Sequence, residues 1–239
     1  MMKYFLPFFF IFISVNNITA QTCTILGQNP TTAFPVCGTT SFNQGSVGIC
    51  GNTPVPSQCS GTLFTDKNPY WYKFTCFSGG TLGFVITPID INDDYDWQLF
   101  DITGRNPNDI YSDGSLFVAC NWSGEGGLTG ASSAGTSLVR CDGTGVPLFS
   151  SMPTLITGHN YLLLVSHFTD SQVGYSLSFG GGTADITDPL PSNIVSASAS
   201  CDATRITVKL SKKMKCKSLS PDGSDFILNT PGISITGAS

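Results

Sequence analysis

Asp90, Asn92, Asp94 and Asp96 recur at every second position between two apolar segments, with Asp93 interleaved among them. In an extended strand alternate side chains share a face, and a slight curl at the strand start would let these oxygens converge. Hard oxygen donors gathered this way suit calcium, which takes six to eight of them, and a cation would relieve the repulsion between the carboxylates. The expectation is a structural calcium ion held by Asp90, Asn92, Asp94 and Asp96. Such a site would differ from an EF-hand: counting from Asp90, the sixth position is Tyr95 where that loop needs Gly, and the twelfth is Asp101 where it needs Glu. The same acids also suit a solvated turn, in which Asx side chains shape the bend and charge blunts a strand edge.

Catalytic chemistry finds less support. His159 and His167 read as turn or rim residues, because no nucleophile motif and no paired acid accompanies either in the sequence. The crowded acids of the 90–96 turn differ from two carboxyls facing a substrate, so no hydrolase site is expected within the chain. The glycine-rich run Gly124–Gly130 ends in no Lys-Ser/Thr and no amphipathic helix follows it; it reads as a surface loop rather than a phosphate cradle. Trp122 and Tyr111 fall in loops, where an aromatic face either stacks on a sugar ring or packs inward.

Nine cysteines, at 23, 37, 50, 59, 76, 120, 141, 201 and 216, form no C-x-x-C pair and lie far from both histidines, which argues against zinc and for disulfides. Seven of them precede residue 181, so the first domain holds at least one free thiol or a bridge that leaves it. Cys76, mid-strand among inward aromatics, is expected to be free. A Cys120–Cys141 bridge across the glycine-rich loop is expected, and Cys50 to Cys59 is a compact loop that a bridge could close. Cys201 and Cys216 would meet only if the chain doubled back between them.

The elements that must position these residues are strands. Only 11% of the 239 residues are charged, 26 are Gly and 14 are Pro, and no window shows a helical period. Tyr70–Phe77 alternates Tyr70, Tyr72, Phe74 and Cys76 against Trp71, Lys73, Thr75 and Phe77. With Thr81–Thr87 it predicts a tight antiparallel hairpin across Ser78-Gly79-Gly80. Further strands are predicted at Trp97–Ile102, Leu116–Cys120, Asn160–Ser166 and Gly174–Phe179. The unbroken run Leu162 to Val165 marks a strand covered on both faces.

Met1–Ala20 has the layout of a signal peptide: Lys3, the apolar run Tyr4 to Val15, then Ile18-Thr19-Ala20. That run is short for a bilayer and no other is longer, so the mature chain is expected to be secreted and not membrane-spanning. A formal charge of -5 and a pI near 4.7 argue against a nucleic-acid partner.

The order NPYWYKFTC, DDYDWQLFDITG, GHNYLLLVSHF and GYSLSFGG, spanning about Asn68 to Phe179, resembles the pre-peptidase C-terminal type of β-sandwich. It looks more closely like the N-terminal region of large secreted surface proteins of gliding bacteria, where such modules precede immunoglobulin-like domains. The resemblance implies a jelly-roll-like antiparallel β-sandwich at 21–180, and composition makes 181–192 a linker. An immunoglobulin-like domain would begin at 193, with strands at Ile194–Ala199, Arg205–Leu210, Phe226–Leu228 and Ile233–Ile235 and a basic patch of Lys212, Lys213, Lys215 and Lys217. Its 47 residues are few for such a sandwich. Either the chain is a piece of a longer protein or a partner strand completes the domain. The implied function is non-catalytic adhesion, with a glycan or an extracellular protein as partner; the alternative is an accessory domain of a secreted hydrolase whose catalytic domain lies elsewhere.

Overall fold

The computed structural model describes residues 22–36, 40–188, 193–202, 204–211, 222–224, 226–229, 232 and 234–238. Residues 1–20, where a signal peptide is expected, Cys37, Cys216, Ile233 and the lysines at 212, 213, 215 and 217 lie outside the described residues. The protein is all-β and its strand pairs are mostly antiparallel.

In chain order the strands are β1 (Phe34–Pro35), β2 (Ser41–Ser46), β3 (Gly51–Val55), β4 (Phe64–Lys67), β5 (Pro69–Thr75), β6 (Gly80–Thr81), β7 (Phe84–Pro88) and β8 (Tyr95–Asp101). They continue as β9 (Phe117–Asn121), β10 (Thr129–Ser132), β11 (Val139–Arg140), β12 (Phe149–Ser151), β13 (Thr154–Leu155), β14 (Asn160–His167) and β15 (Val173–Phe179). A six-stranded sheet of order β1-β5-β14-β8-β9-β11 faces a five-stranded sheet of order β12-β10-β7-β15-β2. β14 therefore sits between β5 and β8, and β15 between β7 and β2.

Alternation along the strands builds the layers. Tyr72, Phe74 and Cys76 near β5, Trp97 and Leu99 of β8, and Leu163 and Val165 of β14 turn toward Phe84, Ile86, Tyr175 and Leu177 of the second sheet and form the main core. The opposite face of the six-stranded sheet is also covered. Trp71, Phe100, Leu162 and Leu164 pack there under Val55, Phe64, Ile110 and Leu116. Leu162, Leu163 and Leu164 are all fully buried, as their unbroken run predicts, and each contributes about 2–3 kcal/mol by leaving water.

The expected Tyr70–Phe77/Thr81–Thr87 hairpin does not form. β5 pairs with β1 and β14, whereas β7 pairs with β10 and β15, so the chain crosses from one sheet to the other between them. Both strands carry apolar residues toward the same interior, and facing sheets satisfy that pattern as well as a hairpin does. The glycine run also departs from a loop at its end: Thr129 and Gly130 begin β10, both buried. Gly130 has φ 152°, and a side chain there would collide with the Phe84 carbonyl, so only glycine lets β10 approach β7.

Residues 181–188 belong to the first unit, which runs to Asp188, and not to a linker. Asp185 bridges to Ser78 and Ile186 is buried in the main core, which composition alone hides. The second unit, from Pro189, contains an antiparallel hairpin of β16 (Ile194–Ala199) and β17 (Ile206–Leu210). Phe226 to Leu228 is described there without strand pairing.

Two disulfides replace the expected pairings: Cys23–Cys50 and Cys59–Cys141. Cys120 cannot reach Cys141 because the parallel register sets Val139 opposite Cys120, leaving Cys141 two residues further along. The Cys120 thiol is buried and lies against the Arg140 carbonyl. Cys50 and Cys59 flank β3, whose extension separates them. Cys76 is free and buried, as expected.

Candidate functional site

The acidic turn divides into two parts. Asp90 Oδ1 accepts hydrogen bonds from the Asn92 backbone N–H at 3.0 Å and from its Nδ2 at 2.9 Å, and both residues are exposed. This is an Asx turn, with Asp90 and Asn92 engaged by each other. Asp93 is buried and accepts from Ser171 Oγ at 2.8 Å.

Asp94 and Asp96 point elsewhere. They line a cleft of about 200 Å³ together with Asp142, Phe64, Trp122 and Phe168. The β8–β14 pairing positions them: Asp96 lies opposite Ser166, and one step beyond the ladder the Asp94 carbonyl accepts from the Phe168 N–H at 2.9 Å. The Asp94 N–H donates to Thr169 Oγ1 at 2.9 Å. The Cys59–Cys141 bridge joins the two loops that bring Thr62 and Asp142 to the cleft, where the Thr62 hydroxyl donates to Asp142 Oδ1 at 3.2 Å.

Both strand acids are more than nine-tenths buried. Asp94 Oδ1 is sealed from solvent without a hydrogen bond, and among the described residues nothing donates to the Asp96 carboxylate. Ser166, its cross-strand neighbour, spends its hydroxyl on the Lys67 carbonyl at 2.8 Å. Desolvation, reinforced by Asp94 and Asp142, pushes the Asp96 carboxyl well above the ordinary range. Desolvation and then the charge of Glu125 push Asp94 up to about 6. Among the described residues, no three His, Cys, Asp or Glu side chains gather closely enough to hold a metal ion.

One cation sits at the cleft wall and is already occupied. Lys67 Nζ donates to the Phe168 carbonyl at 2.6 Å, lies 4.7 Å from the Phe168 ring centroid and pairs with Asp170 at 3.1 Å.

The histidines do have acid partners, which the sequence hides because they come from β8, β14 and the turns that lead into them, far apart in the chain. His159 Nδ1 lies 2.7 Å from Asp101 Oδ2, half-buried. Burial opposes it, but hydrogen bonds from His159 and Thr103 hold the Asp101 carboxyl below its usual range. His167 is a buried residue of β14 and not a rim residue; it stacks flat on Tyr95 with centroids 4.2 Å apart and lies 3.6 Å from Asp93. Desolvation depresses its pKa despite Asp93, which keeps it neutral. Among the described residues, neither histidine side chain hydrogen-bonds to a Ser, Thr or Cys side chain.

The two aromatic candidates pack inward. Trp122 is 3% exposed, stacks on Phe64 at 4.5 Å and donates from Nε1 to Gln98 Oε1 at 3.0 Å. Tyr111 is half-buried, with its hydroxyl on Asp66 Oδ2 at 2.6 Å. Neither forms an open platform for a sugar.

No protein-family model, curated protein or solved structure matches the chain. The functional reading therefore rests on the geometry of the cleft.

Sequence reasoning found Asp94 and Asp96 but not Asp142, Phe64 or Phe168. Asp142 follows Cys141, whose bridge to Cys59 and not to Cys120 brings its loop to Thr62.

Proposed function

We propose that the chain is a secreted, non-catalytic β-sandwich module that serves adhesion within a larger protein, binding a glycan or an extracellular protein at the Asp94–Asp96 cleft. The observation that carries this reading is a pair of buried carboxylates with unfilled hydrogen-bonding capacity, opening onto aromatic side chains. Carboxyls held this way, short of protein donors and with raised pKa values, are more characteristic of a binding site than of packing. The two disulfides and the signal-like segment Met1–Ala20 accord with an oxidising, extracellular setting, and no described helix is long and apolar enough to cross a membrane. The pre-peptidase C-terminal resemblance and the alternative of a hydrolase accessory domain are compatible with the same module.

The test is capture of the purified chain on glycan arrays and immobilised matrix proteins, with Asp96→Asn in parallel. Saturable capture by the wild type that the variant loses supports the reading. Turnover of esters, peptides or glycosides that His159→Ala abolishes would replace it with an enzymatic one.

Structural calcium is the second reading, favoured by the same uncompensated charge. As placed, the four residues offer two pairs and not one ligand set, so calcium binding by all four requires the Asp90–Asn92 turn to open. A melting temperature raised by calcium and lowered again by chelator, but indifferent to both after Asp94→Ala with Asp96→Ala, is the result that supports it.

A further inference from the structure

We infer that the cleft recognises a guanidinium group, an arginine side chain presented by a protein partner and seated between Asp94 and Asp96 and the exposed ring of Phe168. This rests on the binding-module reading and names the chemistry of its ligand.

Charge complementarity points to a cation, whose approach would draw both carboxyls into their ionised forms. Two adjacent carboxylates, both more than nine-tenths buried, lack donors of their own. Glu125 and Asp142 add negative potential, and Lys67 is tied to Asp170 and the Phe168 carbonyl.

Geometry then selects among cations. Calcium seeks six to eight oxygens and would need ligands beyond the two buried carboxylates. A guanidinium needs less: its planar fork of N–H donors satisfies two carboxylates and leaves a flat, weakly hydrated face for aromatic contact. Phe168, exposed at the cleft wall, supplies that contact, and Lys67 over its ring shows the same pairing of cation and aromatic, while the closed Phe64–Trp122 stack lines the cleft without offering a free face. At about 200 Å³ the cleft has room for a long side chain.

Calorimetry on the full chain at neutral pH and low salt decides the matter, using a capped Gly-Gly-Arg-Gly-Gly peptide, its citrulline counterpart, which keeps the shape without the charge, and free arginine. The arginine peptide should bind more than about tenfold tighter than the citrulline peptide, and Asp96→Asn should erase the difference. That substitution is isosteric and relieves repulsion, so its melting temperature should not fall, which separates lost binding from lost folding. Equal binding of the two peptides, or full binding of the arginine peptide by Asp96→Asn, overturns the inference. Binding of free arginine without binding of the peptide overturns the protein-borne source. Matrix or glycan capture that needs Asp96 but shows no arginine preference removes this inference and leaves the module reading intact. Arginine preference without capture of any macromolecule removes the adhesion reading instead.

Discussion

Replacing Asp94 with Asn should stabilise the protein, and by an amount that depends on pH. In the folded chain its carboxyl is held at about 6 against an ordinary 3.8, first by desolvation and then by Glu125. A group whose folded pKa is raised binds its proton more tightly in the native state, so stability is lost as pH climbs from the unfolded to the folded value. At about 1.4 kcal/mol per pH unit this amounts to roughly 3 kcal/mol, and partial solvent screening brings it to about 2 kcal/mol. Asn keeps the shape, removes the charge and offers an N–H₂ that can donate to Asp96, while the backbone bonds to Thr169 and Phe168 are untouched. For a chain of this size the gain corresponds to about 4–8 °C in melting temperature above about pH 7, shrinking toward nothing near pH 4. Scanning calorimetry across that range reads both the size and the slope. A variant that melts below the wild type at neutral pH, or a difference that stays constant with pH, would refute the reasoning.

Mapping of unreduced peptides should return Cys23–Cys50 and Cys59–Cys141, and removing the second bridge by paired Ser substitutions should cost about 4 kcal/mol, because it closes an 82-residue separation. Gly130→Ala should destabilise by about 2–3 kcal/mol, read as a shifted urea midpoint, since its left-handed backbone and the Phe84 carbonyl leave no place for a methyl group. Trp122→Ala should cost about 3–5 kcal/mol and strand the Gln98 amide oxygen; an unchanged midpoint would show that the indole does not pack as described.

Strand identity was legible in the sequence wherever burial imposes a period. The alternation of Tyr70 to Phe77 and the unbroken run at Leu162 predicted which side chains meet which layer, and the layers agree. Partnership was less legible. Ser78-Gly79-Gly80 suits a hairpin and a sheet-to-sheet crossing equally, because local turn chemistry does not say where the next strand finds its neighbours. The same blindness explains the cysteines: Cys120 and Cys141 are close in sequence, but the parallel β9–β11 register sets them out of step. For the site, periodicity placed Asp94 and Asp96 on one face. It could not reveal that Asp90 and Asn92 would satisfy each other, nor that a distant loop would add Asp142. Trp122 was ambiguous for a related reason: its buried N–H partner, Gln98, belongs to a different strand.

The placement of β14 and β15 bears on when this chain can fold as it is made. Each is the inner strand that joins the two halves of its sheet, and both come from the same short stretch, residues 160–179. A growing chain that already includes β2, β5, β7 and β8 still has an open slot in each sheet, with β5 unable to pair with β8 and β7 unable to pair with β2. Long-range strand pairing is slow even when all strands are present, and here it must wait for late-synthesised residues. Truncation before Asn160 should therefore yield no folded sandwich, and a growing chain would stay threadable through a pore until the last strands of the sandwich have been made.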